Sequence, residues 1–190
     1  RAPPAAAFLY RADRVAAVDG SLAAIGAPAG GPAPALAAEF LFAGESVTAI
    51  NARFAPREGG APVMGVRQPY EALLEDPEVN AGVAARRAEA GAVNAAVDAL
   101  LTEGRENVAV LGALAEHGFV SPVAEVLPGP GEALHDLAAT LPPEERYTAI
   151  EDGNAAALDH ALVSARLAVT ARLDYVHLNA EVPAAARVAE

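Results

Sequence analysis

Short apolar runs, each closed by glycine or proline, divide this chain into strands and one long helical stretch. Residues 35–42 and 47–54 flank Gly44-Glu45, a pattern that predicts a hairpin. Residues 7–10 and 15–18 predict a smaller hairpin around the turn at 11–14. Val108-Ala109-Val110-Leu111 is β-branched and aliphatic, too short for a helix, and closed by Gly112. It predicts a buried strand that delivers a loop, the kind of place where sites are built. Val83, Ala90, Val93, Val97, Leu100 and Leu101 recur at helical spacing, with Asp76-Pro77-Glu78 as a start signal and Gly104 as a stop. Residues 121–127 and 132–141 predict two short helices around Pro128-Gly129-Pro130-Gly131, and residues 142–147 turn the chain back. Residues 26–34 predict a surface loop. Residues 56–77 predict a long loop, and loops of that length tend to be functional or to contact partners.

The length of 190 residues suits one domain spanning 1–190, large enough to bury roughly 70% of its unfolded surface. Hydrophobic residues make up 53% of the chain, but much of that is alanine, and there is no long uninterrupted apolar run to suggest a membrane span. Twenty-five acids oppose 13 bases, all arginine, for a net charge of −12. An acidic surface repels a phosphate backbone, so nucleic acid is not expected as a partner. With no cysteine, disulfides, thiolate zinc sites and cysteine nucleophiles are excluded.

Several motifs in series resemble one family. Val110-Leu111-Gly112-Ala113-Leu114-Ala115 resembles the Val-Leu-Gly-Asp-Leu-Asn motif of the endonuclease/exonuclease/phosphatase (DNase I-like) superfamily. Residues 47–54 resemble Val-Thr-Val-Ile-Asn-Asn-His-Phe, and Tyr10-Arg11-Ala12-Asp13-Arg14-Val15 resembles Tyr-Arg-Pro-Asp-Arg-Val. Residues 147–164 resemble the bacterial extracellular-nuclease branch, whose stretch ends Leu-Asp-His-Ile-Leu-Val-Ser. The resemblance implies an α+β fold, a β-sandwich flanked by helices in four αββα layers. The chain would be the C-terminal part of the family domain, incomplete at its N-terminal side. The family's opening metal-associated Asn and its Gln-Glu motif would precede Arg1, and its Ser-Asp-His-Asp-Pro motif would follow Glu190.

The family reaction is metal-assisted attack of water on a phosphoester, in which oxygen ligands hold Mg²⁺ or Mn²⁺ and histidines move protons. At the matching positions this chain has Ala113 for the Asp, Ala115 for the Asn and Arg53 for the general-acid His. Methyl groups hold no metal, and a guanidinium keeps its proton far above neutral pH. Gly31-Pro32-Ala33-Pro34 stands where members carry Arg-Pro. Asp159 is the one catalytic-type residue retained, and His160 beside it points to the opposite face of its strand. Glu116, His117 and Asp159 could be combined into a replacement metal site, but solvated side chains are the better reading. His135, on a helix, and His177, on a strand, read as packing or surface residues. Arg86 and Arg87 read as a solvated or loop-bracing face. The expectation is a pseudoenzyme, a structural or binding subunit of an extracytoplasmic assembly, needing no cofactor. The alternative is a Mg²⁺- or Mn²⁺-dependent nuclease or phosphatase represented by an inactivated or partial chain. A sandwich lacking its opening strand would expose an edge and an apolar face, so a protein partner or a second copy is expected.

Overall fold

The computed structural model of the chain describes residues 6–26, 35–55, 82–114, 134–151 and 154–177. Among them one mixed sheet of seven strands dominates. Its strands are β1 (Val15–Ala17), β2 (Ala23–Ile25), β3 (Ala35–Phe42), β4 (Glu45–Arg53), β5 (Val108–Ala113), β6 (Leu134–Asp136) and β9 (Asp159–Ser164). The order is β1-β3-β4-β5-β9-β6, with β2 pairing on β3 beside β1. β4 and β5 run parallel, and every other pair is antiparallel. β7 (Ala149–Glu151) and β8 (Asn154–Ala156) form a separate two-stranded sheet.

The expected hairpin at residues 35–54 forms, and its turn shows why. Ala43 and Gly44 both take positive φ, 53° and 85°, the two-residue type I′ geometry that matches strand twist. The parallel step from β4 to β5 needs a crossover, supplied by α1 (Val83–Thr102). α1 has no side-chain cap at Gly82, no acid in its first turn and no base in its last. It depends instead on its buried stripe, Arg86, Ala90, Val93 and Val97, spaced to share one face. Its end is a Schellman motif: Gly104 at φ 83° donates to Leu101 O and Arg105 N donates to Leu100 O.

The stripe of α1 packs on Ile50, Ala52, Val108, Val110 and Leu162, the main core. Each fully buried Ile, Leu or Val contributes about 1.5–3 kcal/mol. On the opposite face Ala161, Val163 and Ala109 meet Leu137, with Leu167 and Ala168 of α2 (Ala165–Ala168) and with Ala171 and Leu173. The expected α+β arrangement, a sheet with helices on its flanks, is therefore present. The central strands are apolar on both sides, as in sheets covered on two faces. Among the described residues, no helix is long and apolar enough to cross a membrane.

Four local expectations are corrected. Residues 7–10 form no strand. Phe8 and Tyr10 set their rings edge-on against Phe40, centroids 5.3 Å away, and Asn51 Nδ2 donates to Ala7 O, so the segment lies across the sheet instead of pairing with β1. β1 pairs with β3, as does β2, which no sequence pattern marked. Within the expected helix at 132–141, Leu134–Asp136 is an edge strand and Leu137–Thr140 a 3-10 helix, because Asp136 Oδ1 accepts Ala138 N and starts a new turn there. His177 lies in irregular structure, not on a strand. The expected start of the long helix at residues 76–78, the loop at 56–77, the helix at 121–127 and most of the loop at 26–34 lie outside the described residues. Among the described residues both sheet edges end in three-residue strands, which limits open-ended pairing.

Two substitutions test these turns. Gly112 sits at φ 134°, and a Cβ there would lie 2.0 Å from Ala52 O of β4. Gly112→Ala is expected to cost about 3 kcal/mol or more in a denaturant melt, combining overpacking with backbone strain. Ala43→Asn is expected to raise stability by about 0.5–1 kcal/mol, because asparagine tolerates the left-handed conformation that alanine resists.

Candidate functional site

The register of the sheet brings three of the four sequence-identified positions together. Arg53 pairs with Ala113 across β4 and β5, and Ala113 pairs with Asp159 across β5 and β9. Residues opposite one another share a face, so the three form one row on the side away from α1. Neighbouring strands lie about 4.8 Å apart, which sets Arg53 and Asp159 about 10 Å from each other with a methyl group between. β5 runs two residues beyond Leu111, so Ala113 belongs to the sheet and not to the following loop. Ala115, Glu116 and His117 lie outside the described residues.

Arg53 and Asp159 are exposed, and among the described residues neither side chain has a hydrogen bond or ion pair. The backbone of Asp159 is held firmly. Its N–H and that of Leu158 both donate to Thr148 Oγ1, at 3.1 and 2.9 Å. Its carbonyl accepts from the Tyr175 hydroxyl at 2.7 Å. Burial, with the charges of Asp136 and Asp159 behind it, pushes the Tyr175 hydroxyl up to about 12. It therefore remains a donor throughout the physiological range.

His160 faces the other way, opposite Gly112. Its Nδ1 donates to Asp136 Oδ2 at 2.9 Å, and its Nε2 lies 3.3 Å from Ala157 O. It ties β9 to the end of β6 and does not serve Asp159. Sequence reasoning missed Asp136, because the pairing spans 24 residues and needs the β6–β9 register to exist. His177 stacks on Tyr147 at 3.9 Å and donates to its carbonyl, the packing role expected of it. His135 is exposed on β6.

The exit of β4 is clamped from α1. Phe54 N donates to Ala113 O at 3.0 Å. Ala55 N donates to Glu89 Oε2 at 2.7 Å, and Arg86 Nη1 donates to Ala55 O at 3.2 Å. Arg86 is thus loop-bracing, but it is buried, not solvated, whereas Arg87 is exposed. Glu89 Oε1 is enclosed without a hydrogen-bond partner, and burial raises the Glu89 carboxyl above its ordinary range, opposed by the Ala55 N–H and the Arg86 charge.

The row does not fit a hard divalent cation. Mg²⁺ and Mn²⁺ need converging oxygens, and this row offers one carboxylate, a methyl and a guanidinium. No group of three His, Asp or Glu side chains suited to a metal occurs among the described residues. At the other end of the sheet, Glu39, Glu45, Glu103, Glu106, Arg105 and Arg166 line a hollow. There Glu39 and Glu103 pair with Arg105, and Glu45 and Glu106 pair with Arg166.

No protein-family model matches the chain, and no curated protein matches it. Solved structures do. The human Nocturnin catalytic domain with bound sulfate anion aligns at a TM-score of 0.50 and 16% identity, covering 82% of this chain and 50% of that one. A humanised D. rerio TDP2 carrying 14 mutations aligns at 0.46 and 12% identity, covering 80% and 53%. Both belong to the endonuclease/exonuclease/phosphatase superfamily. The chain spans about half the length of these structures. The first likeness shows the fold, which is DNase I-like, and nothing of activity.

The Glu89 clamp generates a pH prediction. Its folded-state pKa is raised above the ordinary glutamate value of about 4.5, so its contribution is fully present below that value and is lost as pH rises through the folded pKa. Glu89→Gln keeps a carbonyl oxygen for Ala55 N and has no proton to lose. The difference in stability between the two proteins is expected to shift in favour of the variant as pH rises above about 4.5 and then level off, read by chemical melts at a series of pH values. A difference that stays constant across that window would show that Glu89 is not perturbed by its burial.

Proposed function

We propose that this chain is a non-catalytic DNase I-like domain that works by binding, as a structural or recognition part of a larger extracytoplasmic assembly. The observation that supports this reading is the row Arg53, Ala113, Asp159, in which register aligns the positions while the side chains cannot perform the chemistry. Arg53 cannot donate and recover a proton near neutral pH. Ala113 offers no ligand. Among the described residues Asp159 holds no histidine, since its strand neighbour His160 faces away and is held by Asp136. The extracytoplasmic placement rests on the resemblance of residues 147–164 to extracellular nucleases. The charge of −12 argues against nucleic acid as the bound partner.

The competing reading is a metal-dependent phosphoester hydrolase. It is tested by incubating the purified chain with DNA, RNA and phosphomonoesters in Mg²⁺ or Mn²⁺. The expected result is no turnover above a buffer blank. Turnover abolished by EDTA and tracking the protein through purification would sink the proposal. A sharper form restores Ala113→Asp and Ala115→Asn together. Catalytic groups that act as a unit return little when replaced piecemeal. The double variant is expected to gain at most weak divalent-metal binding, and robust phosphodiesterase activity in it would overturn the non-catalytic reading.

A further inference from the structure

Among the described residues, the face of the sheet away from α1 is open at one end. Leu111 stands on the central strand, yet 43% of it is exposed. Its cross-strand neighbours on that face are Asn51 of β4 and Ala161 of β9, and the next row is Arg53, Ala113, Asp159. Leu9 and Val176 are also among the exposed large apolar residues of the molecule. Leu9 belongs to the segment held over β4 by the bond from Asn51 to Ala7 O. Val176 follows Tyr175, whose hydroxyl is bound to Asp159 O on β9. Going across β4, β5 and β9, the sequence of groups is cation, small and apolar centre, anion.

That order is self-complementary. We propose that a second copy of this chain docks on this patch in an isologous contact about a two-fold axis running along β5. Such an axis keeps each residue at its own level along the strand and exchanges left for right, so β4 of one copy faces β9 of the other. Arg53 then meets Asp159 of the second copy twice over, and Leu111 meets its own counterpart on the axis. Ala113 has no bulk to hold the sheets apart at the packing distance of about 10 Å. Each copy carries −12, so indiscriminate self-association is opposed. The patch escapes this because its own two charges are opposite and balanced. The proposal rests on the non-catalytic reading, since a second copy seated here closes the row to any substrate.

Sedimentation equilibrium of the full chain through the micromolar range tests it, with circular dichroism as a check of folding. The wild-type chain is expected to form a discrete dimer. Arg53→Asp leaves two carboxylates on each patch and Asp159→Arg leaves two guanidiniums, so each variant alone is expected to associate roughly tenfold or more weakly. Mixed in equal amounts, the two variants are complementary and are expected to recover association, which a misfolded variant could not do. Leu111→Glu is expected to abolish it. A monomeric wild type, single variants that dimerise as well as wild type, or a mixture that fails to associate would each overturn the docking. The hydrolysis assay run on the same preparations separates the two proposals. No turnover with a monomer sinks the docking alone, and metal-dependent turnover sinks the functional reading.

Discussion

Much of the molecule depends on how closely β5 approaches β4. The two strands run parallel, and at Gly112 the backbone passes so near Ala52 that no side chain fits between. That approach fixes the register of β5, and through it the position of β9. A slip of one residue would turn Val108 and Val110 away from α1 and set Leu111 into the main core. The start of the strand is pinned separately: the buried Ser164 hydroxyl accepts Val108 N and donates to Glu106 O. The row at the other end is a consequence of both constraints.

The parts of the fold legible in the sequence are those governed by local rules. The β3–β4 hairpin is announced by Gly44 between two apolar runs, and the end of α1 by Gly104, whose positive φ closes a Schellman motif. β5 was readable as a buried strand because both of its faces are apolar. What was not legible depends on partners far along the chain. β2 is three residues of Ala-Ala-Ile with no alternation to detect, and it is a strand only because β3 offers an edge. Residues 7–10 carry a strand's composition, but their aromatic rings find more contact lying on Phe40 than pairing with β1. Leu134–Asp136 sits in a helical pattern and is captured by the free edge of β9.

The site divides in the same way. Arg53, Ala113 and Asp159 were identified one at a time from motif positions, and the register shows them to be neighbours. The ties that hold this end of the sheet could not be read. Arg86 reads as part of a solvated or loop-bracing face, and only the folded sheet shows that it braces the loop from a buried position, gripping Ala55. The Asp136–His160 bond, the Thr148 hydroxyl beneath Asp159 and the Tyr175 hydroxyl above it all join residues that only the folded sheet brings together.

The contrast between Gly112 and Ala113 separates what folding requires of this strand from what it leaves free. At Gly112 the requirement is steric and belongs to the fold, because any Cβ collides with backbone whatever the protein does. At Ala113 the side chain lies on the face away from α1, outside the main core, so no comparable steric requirement acts on it. Folding therefore constrains the first position and not the second. Arg53 and Asp159 are exposed at strand ends and are equally free of the core. A chain released from catalysis would keep the glycine, the buried Val108 and Val110, and the clamp on Ala55. Its row would be free to take whatever charges suit the surface that meets it.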